Sequence, residues 1–426
     1  MPAIVEFPTI VENAVKEFGS VFANEPERRH FAEYLTGLLV AERKTVTGIN
    51  AEFVETTDQS CLNRWITEVE WDEEILNQKR LGWLQGDPST RYSAQGVIAI
   101  DNTLIDHDGK FIADVGWYWD HADKRHLIAH DYLIANYVAT SLKHYPLEFR
   151  CFRKRELCDA WRAELEKREG GLAVADEALR QKATFKSHTE LFIELVDWIE
   201  EQEIVGDFTF DCYFTNAEIL NYINSKERSY AGDLKFNRKI WFNGLEMKAS
   251  DMAASIPVQD RKCVCIGETN QWYFTKTIHI PGVNHKVRIV ILWDRKNGKE
   301  AVKMIVTNRT GWDVTRILRV YRKRWTGTET FHRDGKQHLG MGDCQLRSGE
   351  GQTRHMYLVM LTYSLIVAQM RQGRAREWAH TILTTIGEAC RAVMRETLGK
   401  TISWAIDRAV LDRWETHRIL TKLALE

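Results

Sequence analysis

Two short apolar runs that each end on an aspartate constrain this chain more than any other feature. Val97-Ile98-Ala99-Ile100 leads into Asp101, and Phe208-Thr209-Phe210 leads into Asp211. Both runs are rich in β-branched and aromatic residues and read as strands. Helical patterns lie between them, at 157–170 and 176–203, and Thr215-Asn216-Ala217-Glu218 then caps and opens another helix. Strands followed by helices, then a strand and a helix again, predict an α/β sheet that carries acids at its strand ends.

The rest of the chain is organised around that core. Asn24 with Pro26 marks a helix start, and Phe31, Tyr34, Leu35, Leu38 and Leu39 recur at helical spacing after it. Residues 1–95 therefore read as a helical N-terminal region, whose short segments and sharp turns permit a DNA-reading helix-turn-helix as well as a plain helical cap. Asp108-Gly109 predicts a hairpin into Lys110–Ala113, and 126–139 a third strand. Residues 96–234 form the first part of the core. Between 235 and 309 the pattern turns to β, at 263–266, 272–280, 285–293 and 301–307, with Asn297-Gly298 as a hairpin signal, which predicts an inserted antiparallel β subdomain. Residues 310–353 complete the core with helices at 314–324 and 329–339, and 354–426 reads as a helical C-terminal region.

Composition narrows the class. A chain of 426 residues exceeds one ordinary domain, and 44% hydrophobic and 28% charged residues with only 7 Pro describe a packed globular protein. The net charge of −2 supplies no global basic field, so a polyanion would have to be met by a local patch. Eight scattered cysteines without a CxxC pair read as reduced, buried thiols. The N-terminus lacks a secretory pattern, and the apolar run 357–370 is shorter than the roughly 20 residues needed to span a bilayer. That run reads as a core helix, with no membrane role, and the protein as cytoplasmic.

Chemistry concentrates around a third acid. From Arg309 to Arg347 nine Lys or Arg face four acids, a local excess of five positive charges in a near-neutral chain. Within it, Tyr321-Arg322-Lys323-Arg324-Trp325 precedes Glu329, and Glu329, Arg333 and Lys336 fall at i, i+4 and i+7 on one helix face. Carboxylates from three elements, Asp101, Asp211 and Glu329, are the hard oxygen donors that Mg²⁺ takes alongside substrate phosphates. The cations beside Glu329 would clamp those phosphates. A solvated helix with internal ion pairs is the plainer account of the same charges.

The order of Asp101 in its apolar run, Asp211 in its own, a β insertion, and then Tyr-Arg-Lys-Arg-Trp with Glu329 and Lys336 resembles the DDE transposases of bacterial insertion sequences that carry a Tyr-Arg-Glu-Lys signature. The resemblance runs from about Val97 to Met370. It implies a ribonuclease-H-like mixed sheet with flanking helices, and a cut-and-paste transposase that binds terminal inverted repeats and target DNA, both double-stranded. It implies Asp101, Asp211 and Glu329 as catalytic ligands of two Mg²⁺ ions, for which Mn²⁺ substitutes, and a homodimer on paired ends. Tyr321 and Lys336 would contact transposon-end phosphates. In the family the signature reads Tyr-x2-Arg-x3-Glu-x6-Lys, whereas here four residues separate Arg324 from Glu329. On an unbroken helix Arg324 would face away from Glu329 and Arg322 would share its face; a break at Gly327 would restore Arg324. Among 15 Trp, Trp272 and Trp293 lie where the family stacks a tryptophan on a flipped base. A DNA-binding protein that has lost cleavage is the alternative outside enzymology, and a glycosidic hydrolase with paired carboxylates is the alternative within it.

Overall fold

The computed structural model describes residues 4–121, 123–167, 177–266, 269–371 and 373–411. The chain gathers into two compact units, one of Met1–Arg91, Leu104–His130 and Phe331–Glu426, the other of Tyr92–Thr103 and Asp131–Thr330. This division crosses the five segments expected along the sequence.

The second unit holds the sheet. Strands β1 (Val97–Asp106), β3 (Arg125–Val138), β4 (His144–Phe152), β5 (Asp207–Phe210) and β6 (Tyr230–Asp233) enter it wholly or in part. So do β9 (Lys262–Ile266), β10 (Thr269–Ile278), β11 (Val287–Trp293) and β12 (Lys303–Thr307). Their spatial order is β4-β3-β1-β5-β6-β12-β11-β10-β9. The centre is parallel: β1 pairs β5 from Val97↔Asp207 to Ile100↔Phe210, and β5 pairs β6. From β6 onward every pairing is antiparallel. The β-rich stretch expected as an insertion thus hydrogen-bonds directly onto the central sheet through β12 and β6. Among the described residues only the hairpin β7 (Lys239–Phe242) with β8 (Leu245–Lys248) forms a sheet of its own. The mixed sheet with flanking helices matches the ribonuclease-H-like architecture expected.

Helices cover this sheet at sites that their caps define. Ser187 and Glu190 form a reciprocal capping box for α8 (His188–Glu201), and Asn216 caps α9 (Ala217–Ser225). Asp313 accepts from Arg316 N to start α11 (Val314–Gly327). Val314, Ile317, Leu318 and Val320 of α11 bury against Val97, Val138, Val290 and Ile305 of the sheet. Each such side chain contributes about 1.5–3 kcal/mol when fully buried. Gly327, the last residue of α11, is a glycine for a steric reason, since a Cβ there would meet Ala99 Cβ and Val138 Cγ2, each at 2.9 Å.

The first unit is mainly helical: α1 (Thr9–Phe18), α2 (Glu25–Val40, capped by Asn24), α3 (Val46–Ala51), α4 (Gln59–Thr67) and α5 (Glu73–Gln85). The apolar run expected as a core helix is the heart of α13 (Gly349–Gln369), buried along nearly its whole length. Its Arg354 is buried too, paired with Glu73 at 3.3 Å and Glu350 at 2.7 Å and donating to the carbonyls of Val69 and Trp71. The C-terminal helix α15 spans Ile386–Leu411, while 412–426, like 168–170 and 176 of the expected helices, lie outside the described residues.

Two expectations need correction. Lys110–Ala113 is not a strand; β2 is Gly116–Asp120, pairing with Arg125–Ala129 of β3. The alternating aromatics Trp117, Tyr118 and Trp119 form the strand, and Lys124, at φ +51°, lies in its turn. The cysteines are free but not all buried: Cys263 and Cys265 are exposed on β9. Among the described residues no helix is long and apolar enough to cross a membrane.

The close approach at Gly327 gives a stability test. Gly327→Ala must displace β1 or β3 atoms and should lower stability by about 1–3 kcal/mol in a denaturant melt. Gly82→Ala, where nothing lies within 4 Å of the new Cβ, should be neutral or slightly stabilising. Equal melts for Gly327→Ala and wild type would contradict the packing argument.

Candidate active site

Three neighbouring strands bring acids to one rim. Asp101 follows Ile100 and Asp211 follows Phe210, and those residues form the last rung of the β1–β5 ladder, so the two carboxylates sit side by side just beyond it. Asp233 closes β6 but is neutralised by Lys303 at 2.9 Å. Asp207, at the opposite end of β5, is likewise paired, with Arg316 at 3.5 Å. Among the described residues no lysine is so placed beside Asp101 or Asp211.

Their counterion comes from α11. Nη1 of Arg324 lies 2.6 Å from Asp101 Oδ2 and 3.8 Å from Glu329 Oε1, so one guanidinium nitrogen touches acids from two elements. Helix α11 stops at Gly327, Thr328 follows as its cap, and Glu329 opens α12 (Glu329–His338). That junction, rather than one continuous helix, brings Arg324 and Glu329 together. Arg322 points elsewhere, donating to Ile266 O at 3.2 Å and Gln271 Oε1 at 2.9 Å on the β9–β10 hairpin.

The electrostatics are those of a crowded anion site. Asp101 is held up at about 7 by burial first and by the charge of Asp211 second, with Arg324 opposing and Glu329 adding to the rise. Asp211 and Glu329 thus both lie within electrostatic reach of Asp101. Tyr321 is half-buried beside Lys303 and Asp233, and burial, then Asp233, raises its phenol. Trp325, next to Arg324, is 63% exposed.

Other expected residues fall differently. Trp293 is 0% exposed, with Arg261 4.1 Å from its ring centroid, so burial leaves no face for a base. Trp272, its ladder partner, is half-buried with Lys296 over its ring. Arg333 pairs with Asp334 at 3.0 Å, and Lys336 is exposed; both belong to the part of α12 in the first unit.

Sequence reasoning missed a cavity of about 530 Å³ beside Asp211, lined by Tyr213, Asn216, Lys235, Arg238 and Lys239 among others. It also missed Asp131 and His188, which are hydrogen-bonded at 2.8 Å. Tyr213, two positions past Asp211, was the one available cue; His188 had none, because only the fold brings it near.

Three partly exposed carboxylates have the donor chemistry that a hard divalent cation requires. As they stand they are not a finished cage: Arg324 lies between Asp101 and Glu329. Among the described residues no group of three or more His, Cys, Asp or Glu is arranged around a common point.

The raised Asp101 carboxyl has a pH signature in metal-free buffer. Its folded value of about 7 exceeds the unfolded value near 4, so its contribution to stability is full below pH 4 and lost as pH rises through 7. The stability of wild type relative to Asp101→Asn should therefore fall by on the order of 2 kcal/mol between pH 5 and pH 8, read from urea midpoints. A difference that stays flat would mean an ordinary carboxylate.

Comparison with known proteins agrees with this geometry. The sequence matches the family described as DDE superfamily endonuclease over residues 17–257, and the transposase DDE domain over residues 186–365. The first match includes Asp101 and Asp211, and the second Asp211 and Glu329. Among curated proteins none matches. With more than half of its length covered by the first match, the chain belongs to the DDE superfamily of endonucleases and transposases.

Proposed function

We propose that the chain binds transposon-end DNA and carries out Mg²⁺-dependent phosphodiester hydrolysis and strand transfer, with Asp101, Asp211 and Glu329 as the catalytic and metal-holding acids. The observation that carries this reading is Arg324 held between Asp101 and Glu329, with Asp211 beside Asp101 at the end of the shared ladder. Two Mg²⁺ ions, or Mn²⁺ in their place, would be held by these carboxylates; bound divalent ions supply charge neutralisation and activation of water for in-line attack at phosphorus.

The chain's own residues do the remainder. Arg324 holds Asp101 and Glu329 in mutual reach and offers a forked guanidinium to a phosphate that enters between them. Tyr321 lies on the face of α11 toward β6 and β12, where its phenol accompanies Lys303. Lys336 and Arg333 extend the cationic character of α12 beyond Glu329, and Arg322 ties α11 to the β9–β10 hairpin. Lys235 and Arg238 line the cavity next to Asp211 and suit the backbone of a strand leaving the site. Trp272 keeps a partly open ring for contact with DNA. The helical N-terminal region is the proposed end-binding element, and cutting two ends together calls for a homodimer.

The test is nicking of a supercoiled plasmid that carries the inverted repeats flanking the gene. Asp101→Ala, Asp211→Ala and Glu329→Ala should each lower the rate at least about a thousandfold while binding of the repeat DNA persists. Binding by wild type with no cut under Mg²⁺ or Mn²⁺ would identify a silent DNA-binding relative instead. Binding that falls steeply with salt would separate phosphate contacts from a sugar site.

A further inference from the structure

Past the rung Ile100↔Phe210 the backbone ladder no longer sets the separation of Asp101 and Asp211. Side chains take over. The backbone N–H of Asn102 donates to Asp101 Oδ1 at 3.0 Å, and Asn102 Nδ2 donates to Asp131 Oδ1 at 2.9 Å. His188 Nε2 lies 2.8 Å from Asp131 Oδ2, His188 Nδ1 lies 3.2 Å from the Tyr213 hydroxyl, and Tyr213 N–H donates to Asp211 Oδ1 at 2.7 Å. Five hydrogen bonds thus run without a gap from one carboxylate to the other.

Every link has a donor and an acceptor available: the Asp131 carboxylate accepts from Nε2 of His188, and one proton serves the pair formed by Nδ1 and the Tyr213 hydroxyl. The ring of His188 is clamped by Phe152, stacked at 3.8 Å with an interplanar angle of 18°. Its backbone is the first residue of α8, fixed by the Ser187–Glu190 capping box. Asp131 is 3% exposed. A buried carboxylate, an imidazole with both nitrogens engaged and a phenol, strung between two acids, go beyond what core packing needs.

We propose that His188 and Asp131 are positioning residues, which with Tyr213 brace the Asp101 and Asp211 segments at the spacing needed to share a divalent cation. The brace rests on the nuclease reading above and deepens it. Second-sphere partners of this kind change metal affinity when removed, because they orient the ligands.

The full-length, metal-free protein titrated with Mn²⁺, followed by electron paramagnetic resonance, tests the brace apart from catalysis, with Asp101→Ala defining the signal due to the acids. His188→Ala should weaken that site about 10- to 100-fold. Tyr213→Phe removes one hydroxyl from a half-exposed ring and leaves folding intact; it should weaken the site several-fold. In the nicking assay both should lower kcat, with KM for DNA within about twofold of wild type. A merely structural role would lower the melting temperature and leave Mn²⁺ affinity alone. Should His188→Ala fail to fold, Tyr213→Phe decides. Wild-type Mn²⁺ affinity in the folded variants overturns the brace and leaves the nuclease reading standing. Absence of any Asp101-dependent Mn²⁺ site in wild type overturns both.

Discussion

Repulsion between carboxylates at the ends of neighbouring parallel strands is the constraint to which the rest of this rim answers. Asp101 and Asp211 are brought side by side by the same ladder that buries their strands. Helix α11 supplies the compensation by carrying Arg324 to Asp101, and it comes close enough because Gly327 has no side chain to hold it off β1 and β3. Acids of the same unit that have dedicated partners, Asp233 with Lys303 and Asp207 with Arg316, show the ordinary solution. Asp101 and Glu329 share one arginine, with Asp211 next to Asp101.

The sheet explains why the site is where it is. Parallel strands need long crossovers, and those crossovers place helices over the sheet and leave the strand ends open. β1, β5 and β6 form that parallel centre; the β1–β5 pairing stops just before Asp101 and Asp211, and β6 ends on Asp233. The antiparallel strands β9–β12 widen the sheet beyond β6. They carry Ile266 and Gln271, which hold Arg322 away from the acids and so leave the site to Arg324.

Much of this was legible in the residues, for local reasons. Asn24, Ser187, Asn216 and Asp313 each cap a helix through their own side chains, a signal confined to three or four positions. The apolar runs before Asp101 and Asp211 are strands because nothing in them favours another state. What stayed hidden depends on distant partners. β4 and β6 were overlooked: β6 is four residues long with little pattern, and β4, interrupted by Pro146, earns its place by pairing with β3. β2 was placed too early because Asp108-Gly109 looked like the turn. The burial of Trp293 follows from its position in β11 with both faces covered, which a window of sequence does not contain. His188 and Asp131 are 57 positions apart and meet only once the sheet exists.

The junction at Thr328 bears on how relatives of this chain are recognised. Within one helix, the count of residues between two side chains is a statement about angle, and adding one swings the second by about 100°. Across a junction between two helices that rule lapses, because the connecting peptide absorbs the extra position and geometry is restored by the turn. Arg324 and Glu329 meet across such a joint. A search that demands a rigid interval between the arginine and the glutamate would pass over chains like this one, whereas a search that lets the interval vary by one and asks for a helix end between them would retain them.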